Sequence, residues 1–246
     1  MPDMTLLSDR AIITITPTSE DEDAVGFLQG LVTNDVSGGD SPGLPTYAGL
    51  LTPQGKTIAG FIVWRDGNRL LLDCERNSAA ELVKRLSLYR LRRKIAIELD
   101  ENLAVHWRRD GSDGAADPRL RALGSRWIAP PGSAGGSTAG YHAHRLSLGV
   151  AETAEEIGDL LWLETNAAEL NGVSFTKGCF IGQENTARMN WRQKVNRRLV
   201  VVPLDRSEEK RRRVAYPDHG LAVDHLRVAD IDPELLPDWL REAVAS

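Results

Sequence analysis

Apolar and polar side chains alternate along residues 11–16, AIITIT, and the β-branched residues there predict a short strand. The period then lengthens. In SEDEDAVGFLQGLVTNDV, Val25, Leu28, Leu31 and Val32 share one helical face behind an acidic start, and Thr33-Asn34-Asp35 ends the helix. Two turn signals, TPQGK at 52–56 and RDGN at 65–68, separate the apolar runs TYAGLL, TIAGFIVW and RLLLD, which together predict an antiparallel meander. Ser78 and Glu81 have capping-box spacing and predict a helix through Tyr89, after which KIAIEL returns as a strand. The order β-α-β-β-β-α-β is that of an α+β sandwich, with helices packed on a largely antiparallel sheet.

Past residue 100 the periodicity is weaker. LAVHW at 103–107 reads as a strand, DGSDGAADPRL as turns, and APPGSAGGSTAG at 129–140 as a flexible loop. That loop is glycine-rich but lacks the Gly-Lys-Ser/Thr ending of a phosphate cradle. Thr153 and Glu156 form a second capping box ahead of Ile157, Leu160 and Leu161. RRLVVVPL at 197–204 is a strong strand, DRSEEKRRR a charged turn, 221–228 a weaker strand, and PELLPDWLREAVA an amphipathic end.

With 246 residues, 41% of them hydrophobic, the chain can bury a core as one large domain or two small ones. No apolar run approaches the roughly 20 residues that span a bilayer, and MPDMTLLSDR lacks the basic-then-apolar order of a secretory signal. The expectation is a cytoplasmic protein with no membrane partner. Two cysteines exclude a disulfide framework, and the absence of CxxC or HExxH argues against a self-contained zinc or iron–sulfur site. The net charge of -5 hides two basic runs. Residues 84–94 carry six cations and no acid, and residues 176–198 carry Lys177, Arg188, Arg192, Lys194, Arg197 and Arg198 against Glu184. Such runs are either solvated faces or fields that draw an anionic ligand, a nucleic acid or an acidic protein.

The candidate chemistry centres on FTKGCFIGQENTARMN, residues 175–190. Cys179 there can be a nucleophile, a metal ligand or a small buried side chain. QENTARMNW reads as a helix, and its unpaired N–H groups, with Lys177 nearby, favour a thiolate or a bound anion. A protease-like dyad needs a histidine, and His142 and His144 lie beside the glycine-rich loop without a recognisable pattern. Cys74, closing LLLDC, reads as strand packing.

NGVSFTKGCFIGQENTARM closely resembles the signature of the YgfZ family, Lys-Gly-Cys-aromatic-x-Gly-Gln-Glu, carried here by Lys177, Gly178, Cys179, Phe180, Gly182, Gln183 and Glu184. FLQGLVTNDV, LLTPQGK, YRLRRKIAIE and DPRLRALGSRWIA agree in the same order, so the likeness covers about residues 5–204. The resemblance implies the folate-binding fold of the glycine-cleavage T-protein: a core over 1–195 of two intertwined α+β subdomains, and a short β-rich domain over 196–246 like a reduced barrel. It also implies an accessory protein of iron–sulfur cluster assembly or repair that binds tetrahydrofolate. In that role Cys179 lends one ligand to a cluster held transiently with an A-type carrier or a client enzyme. The implied folate contacts are Glu164, Asn34 and Arg188. A folate-dependent aminomethyl- or methyltransferase is the competing expectation, and it is weakened because Ala59-Gly60 stands where the T-protein has its catalytic aspartate pair. An RNA-binding or tRNA-modification-linked module rests on the basic runs alone, with no accompanying aromatic pattern.

Overall fold

The computed structural model describes residues 5–38, 44–110, 113–132, 138–191 and 195–245. The chain enters through β1 (Thr5–Leu6), β2 (Arg10–Pro17) and α1 (Ala24–Gln29), then forms β3 (Thr46–Leu51), β4 (Thr57–Asp66), β5 (Arg69–Glu75), α2 (Arg76–Arg90) and β6 (Ile95–Asp100). Next come β7 (Ala104–Arg108), β8 (Ala115–Ala116), β9 (Ser125–Ala129), α3 (Thr138–Ser147) and the single turn α4 (Ala154–Ile157). The last elements are α5 (Gln183–Trp191), β10 (Arg197–Pro203), β11 (Arg212–Tyr216), β12 (Leu221–Arg227) and α6 (Asp238–Ala245). Their strands build three antiparallel sheets, ordered β3-β4-β5-β2-β6, β1-β7-β9-β8 and β10-β12-β11. The expected α+β class is the observed one.

Strict alternation gives the five-stranded sheet two different faces. Ile13, Ile15, Leu50, Phe61, Leu70 and Leu72 point to the side covered by α1 and α2, and each such fully buried side chain contributes about 1.5–3 kcal/mol. Cys74 belongs to this layer, as its strand position predicts, and burial pushes its thiol up to about 12. The opposite face carries Arg10, Ile12, Tyr47, Ile62, Leu71 and Asp73 and meets the other two sheets. The C-terminal sheet offers Leu199 and Val223 to that central layer and covers its other side with α6 through Val200, Val202 and Leu240.

Four local expectations change. The helix expected to run to Thr33 stops at Gln29, because the next residues are taken by the sheet: Val32 bridges Leu50, and the Thr33 N–H donates to the Gly49 carbonyl at 3.0 Å. Asp23 caps its start by accepting from the Gly26 N–H. Ser78 is not an N-cap, since β5 runs directly into α2 and the Ser78 hydroxyl donates to the Glu75 carbonyl inside the first turn. The loop expected over 129–140 is bounded by β9 and by α3, with residues 133–137 outside the described residues. α3 escapes a periodicity search because Arg145 sits buried where an apolar stripe would continue, donating to both Glu156 carboxylate oxygens at 3.1 Å. Finally, β11 emerges from the end of the charged turn, and its Arg213 reaches out to the carbonyls of Glu156 and Gly158.

Between the sheets lies a closed set of charges. Arg10 donates to Asp73 and Glu152, Arg119 to Asp117 and Glu152, and Arg126 to Asp73, Asp117 and Glu152, so three guanidinium groups face three carboxylates in the interior. Tyr141 from α3 donates its hydroxyl to Glu152. Burial alone raises the Glu152 carboxyl, but attraction to Arg119, Arg10, Arg126 and Arg145 outweighs it and holds the group well below the usual carboxylate range. Asp117 is lowered in the same way by Arg119 and Arg126, against burial. Depressed carboxylates contribute stability that is fully present above their unfolded pKa and is lost as pH falls toward the folded value. Urea midpoints are therefore expected to stay level from neutral pH to just above the ordinary Glu value of 4.5 and to fall progressively below it. A midpoint that holds or rises on further acidification contradicts this assignment.

Candidate functional site: a braced loop that displays Cys179

The segment before α5 is held at both ends. Upstream, the Thr33 hydroxyl donates to the Gly172 carbonyl at 2.7 Å and the Ser174 N–H donates to the Thr33 carbonyl at 3.0 Å. Lys177 then turns inward: its ammonium donates to the carbonyls of Gln29 (2.7 Å), Val32 (2.7 Å) and Asn34 (3.0 Å) and lies 5.4 Å from the centre of the Phe180 ring. Burial pushes this ammonium down to about 8, with Asp35 pulling the other way. All three of its protons are committed, so Lys177 anchors the loop and has no donor left for an outside anion.

Downstream, Gly182 closes the loop. Its φ of +83° suits glycine, and a Cβ there would come within 2.6 Å of the Thr52 carbonyl oxygen and 3.1 Å of the Gly55 Cα. The TPQGK turn is thus pressed against the start of α5, where Asn185 also donates to the Gln54 carbonyl at 2.5 Å. Phe180 is buried in the central apolar layer with Trp162 and Leu199. Between these anchors Gly178 and Cys179 face outward: a Cβ on Gly178 meets nothing within 4 Å, and Cys179 is exposed. The small-buried-side-chain alternative fits Cys74 and not Cys179. Gln183 and Glu184 open α5, half-buried and exposed respectively.

The histidines are committed elsewhere. His142 lies 2.7 Å from Asp9 and accepts from Arg145, and His144 lies 2.7 Å from the Ala122 carbonyl oxygen. Among the described residues no group of three or more His, Cys, Asp or Glu side chains could hold a metal ion. Cys179 alone can supply at most one ligand.

Two of the three residues assigned to a folate are engaged within the protein. Glu164, in a 3₁₀ turn over Trp162–Thr165, has a carboxylate oxygen 3.1 Å from His225 Nε2, close enough for an ion pair but without hydrogen-bond alignment. The Asn34 amide donates to the carbonyls of Tyr47 (2.9 Å) and Asn171 (2.7 Å) and accepts from the Asp35 N–H. Arg188 is exposed on α5. At the position matching the T-protein aspartate pair, Ala59 packs toward the α1–α2 side, and a Cβ on Gly60 would stand 2.9 Å from the Tyr47 hydroxyl, 3.1 Å from Ile157 and 3.4 Å from Trp162. The space a catalytic carboxylate would need is occupied. Of the three side chains assigned to a folate, only Arg188 is left open in the way the likeness implies.

The basic runs also divide. Lys177 and Arg198 are interior, the latter 2.9 Å from Glu169, while Arg192 and Lys194 lie outside the described residues. In the other run Arg93 pairs with Glu22 and Arg90 donates to the Ile95 carbonyl. Neither run is a single field of six free cations, because side-chain stems long enough to reach inward bring their charges to buried acceptors.

No family model matches the chain. Human iron–sulfur cluster assembly factor IBA57, mitochondrial, is 34% identical over 219 residues, 73% of this chain and 61% of the relative. The mouse protein of that name is 31% identical (81% of this chain, 65% of the relative), and the Neurospora crassa homologue 30% (80% and 52%). The chain is homologous to these assembly factors. It spans between about half and two thirds of their length. Among solved structures, the glycine cleavage system aminomethyltransferase T from Bartonella henselae superposes with a TM-score of 0.68 over 92% of this chain and 78% of that one, at 14% identity. The chain thus has the T-protein fold expected of it. The mitochondrial relatives overturn the cytoplasmic expectation, since lacking a secretory pattern says nothing about an organelle within the cell.

Proposed function

We propose that this chain is a YgfZ-type accessory factor of iron–sulfur cluster assembly in which Cys179 lends one thiolate to a cluster shared with a partner. The observation that carries this reading is the exposed cysteine on a loop fixed at Lys177 and Gly182. The Cys179 thiol gives up its proton to solvent and the resulting thiolate binds one iron of the cluster, which is cargo here; the partner supplies the remaining ligands. An A-type carrier or a client iron–sulfur enzyme is the partner this chemistry suits. Folate enters only through the fold, and no step of the proposed role uses it. Aminomethyl transfer is disfavoured by the filled space at Gly60.

Anaerobic reconstitution with an A-type carrier tests the role. Wild type is expected to form a carrier complex with a visible cluster absorbance and matching native mass, and Cys179→Ser to form none while melting like wild type. An equal yield of cluster-bridged complex from Cys179→Ser would sink the reading.

A further inference from the structure

A strained turn lies within the first basic run. α2 stops at Arg90, and residues 90–93 reverse the chain, the Arg93 N–H donating to the Arg90 carbonyl at 2.9 Å. Leu91, the second residue of that turn, has φ +52° and ψ -114°. These are the angles of the first central position of a type II′ turn, a place that sterics reserve for glycine. A leucine there is strained, and its side chain is 84% exposed, so neither backbone conformation nor packing favours it. Leu88, one helical turn earlier, is open as well, at 68% exposure. The two leave apolar surface that the fold itself does not cover.

Cations accompany these leucines. Arg90 and Arg93 are committed to holding the turn, through the Ile95 carbonyl and Glu22. Lys84, Arg92 and Lys94 are exposed and Arg85 is half-buried. Lys84 comes only within 3.9 Å of Glu81, and the other three form no ion pair among the described residues. Lys84 and Arg85 precede Leu88 at i-4 and i-3 on α2, which sets them beside it on one helix face, and Arg92 adjoins Leu91 in the turn. On a chain of net charge -5, such a patch decides which side turns toward an anionic surface.

We propose that Leu88 and Leu91, with Lys84, Arg85, Arg92 and Lys94, dock this protein on an anionic phospholipid surface. The leucines enter the boundary between headgroups and acyl chains, and the cations pair with the headgroup phosphates. A bilayer accepts a protruding leucine without a matching pocket, whereas protein hot spots draw on Trp, Tyr and Arg and seldom on Leu. Nucleic acid is disfavoured because Tyr89, the one aromatic residue of the run, packs against the core beneath α1 and α2. A second copy of the chain would set cation against cation. The expectation of no membrane partner rested on the lack of a spanning run, which a surface contact does not need.

Co-sedimentation tests the patch, using the full chain with vesicles of phosphatidylcholine alone or mixed with phosphatidylglycerol, at low and high salt. Wild type and Cys179→Ser are expected to pellet alike with the mixed vesicles at low salt, to stay in solution beside phosphatidylcholine, and to be released by salt. Arg92→Glu is expected to bind about tenfold more weakly. Leu91→Gly is expected to bind about tenfold more weakly too, yet to melt no lower than wild type, because glycine relieves the strained φ. That variant keeps loss of binding apart from loss of fold. A wild type that the anionic vesicles leave in solution overturns the proposal, whether it then dimerises through Leu91 or holds bulk tRNA or an acidic protein through Arg92. Binding at wild-type strength by either variant overturns it as well.

Discussion

Arg126→Met is expected to cost about 3–5 kcal/mol of stability, the cost of removing one partner from a buried ion pair. Arg126 is fully enclosed and donates to Asp73 and Asp117 at 2.9 Å and to Glu152 at 3.2 Å, with its cation 4.8 Å from the centre of the Tyr141 ring. Methionine keeps much of the volume but leaves three buried carboxylates facing only Arg10 and Arg119. Water cannot take the place of the lost guanidinium without opening the seam between the sheets. Urea unfolding measures the loss, and Arg126→Met with Asp73→Asn is expected to recover part of it by returning the buried charge to balance. A single variant that unfolds within about 1 kcal/mol of wild type would show that the seam relaxes around the missing charge.

Lys177→Met is expected to destabilise the protein by about 2–4 kcal/mol, since buried carbonyls left unpaired cost about 1–3 kcal/mol each and partial relaxation recovers some of that. The acceptors are the carbonyls of Gln29, Val32 and Asn34, converging on one ammonium. Arginine is not expected to rescue the loss, because a planar fork cannot aim three donors at one point as an ammonium does. Hydrogen exchange is expected to rise in residues 30–34 and 174–180 together, and cluster sharing through Cys179 to fall with it. Faster exchange in only one of the two segments would mean that Lys177 does not couple them.

The main sheet was legible because its physics is local. Turn residues at 52–56 and 65–68 and a period of two in the flanking runs are properties of neighbouring residues, and they specify hairpins without reference to the rest of the chain. The signature cysteine was legible for a different reason, as a fixed order of residues around Cys179. α3 and β11 were not, because Arg145 and Arg213 read as solvent-facing charges while their partners, Glu156 and the Gly158 carbonyl, lie outside their own elements, 11 and 55 residues away. Leu91 carried no signal, since a leucine at positive φ is the opposite of what turn chemistry predicts.

Sequence alone thus determined the strand and helix periods of the first hundred residues, the shortage of ligands for a self-contained metal site, and the motif that singles out Cys179. Only the tertiary structure decided which charges are interior, that Lys177 is an anchor facing inward, that Gly60 has no room for a carboxylate, and that Cys179 faces outward. The reason is that burial of a charge depends on partners brought from afar: Arg10 meets Glu152 across 142 residues of chain and Lys177 meets Val32 across 145, and no local pattern records such meetings.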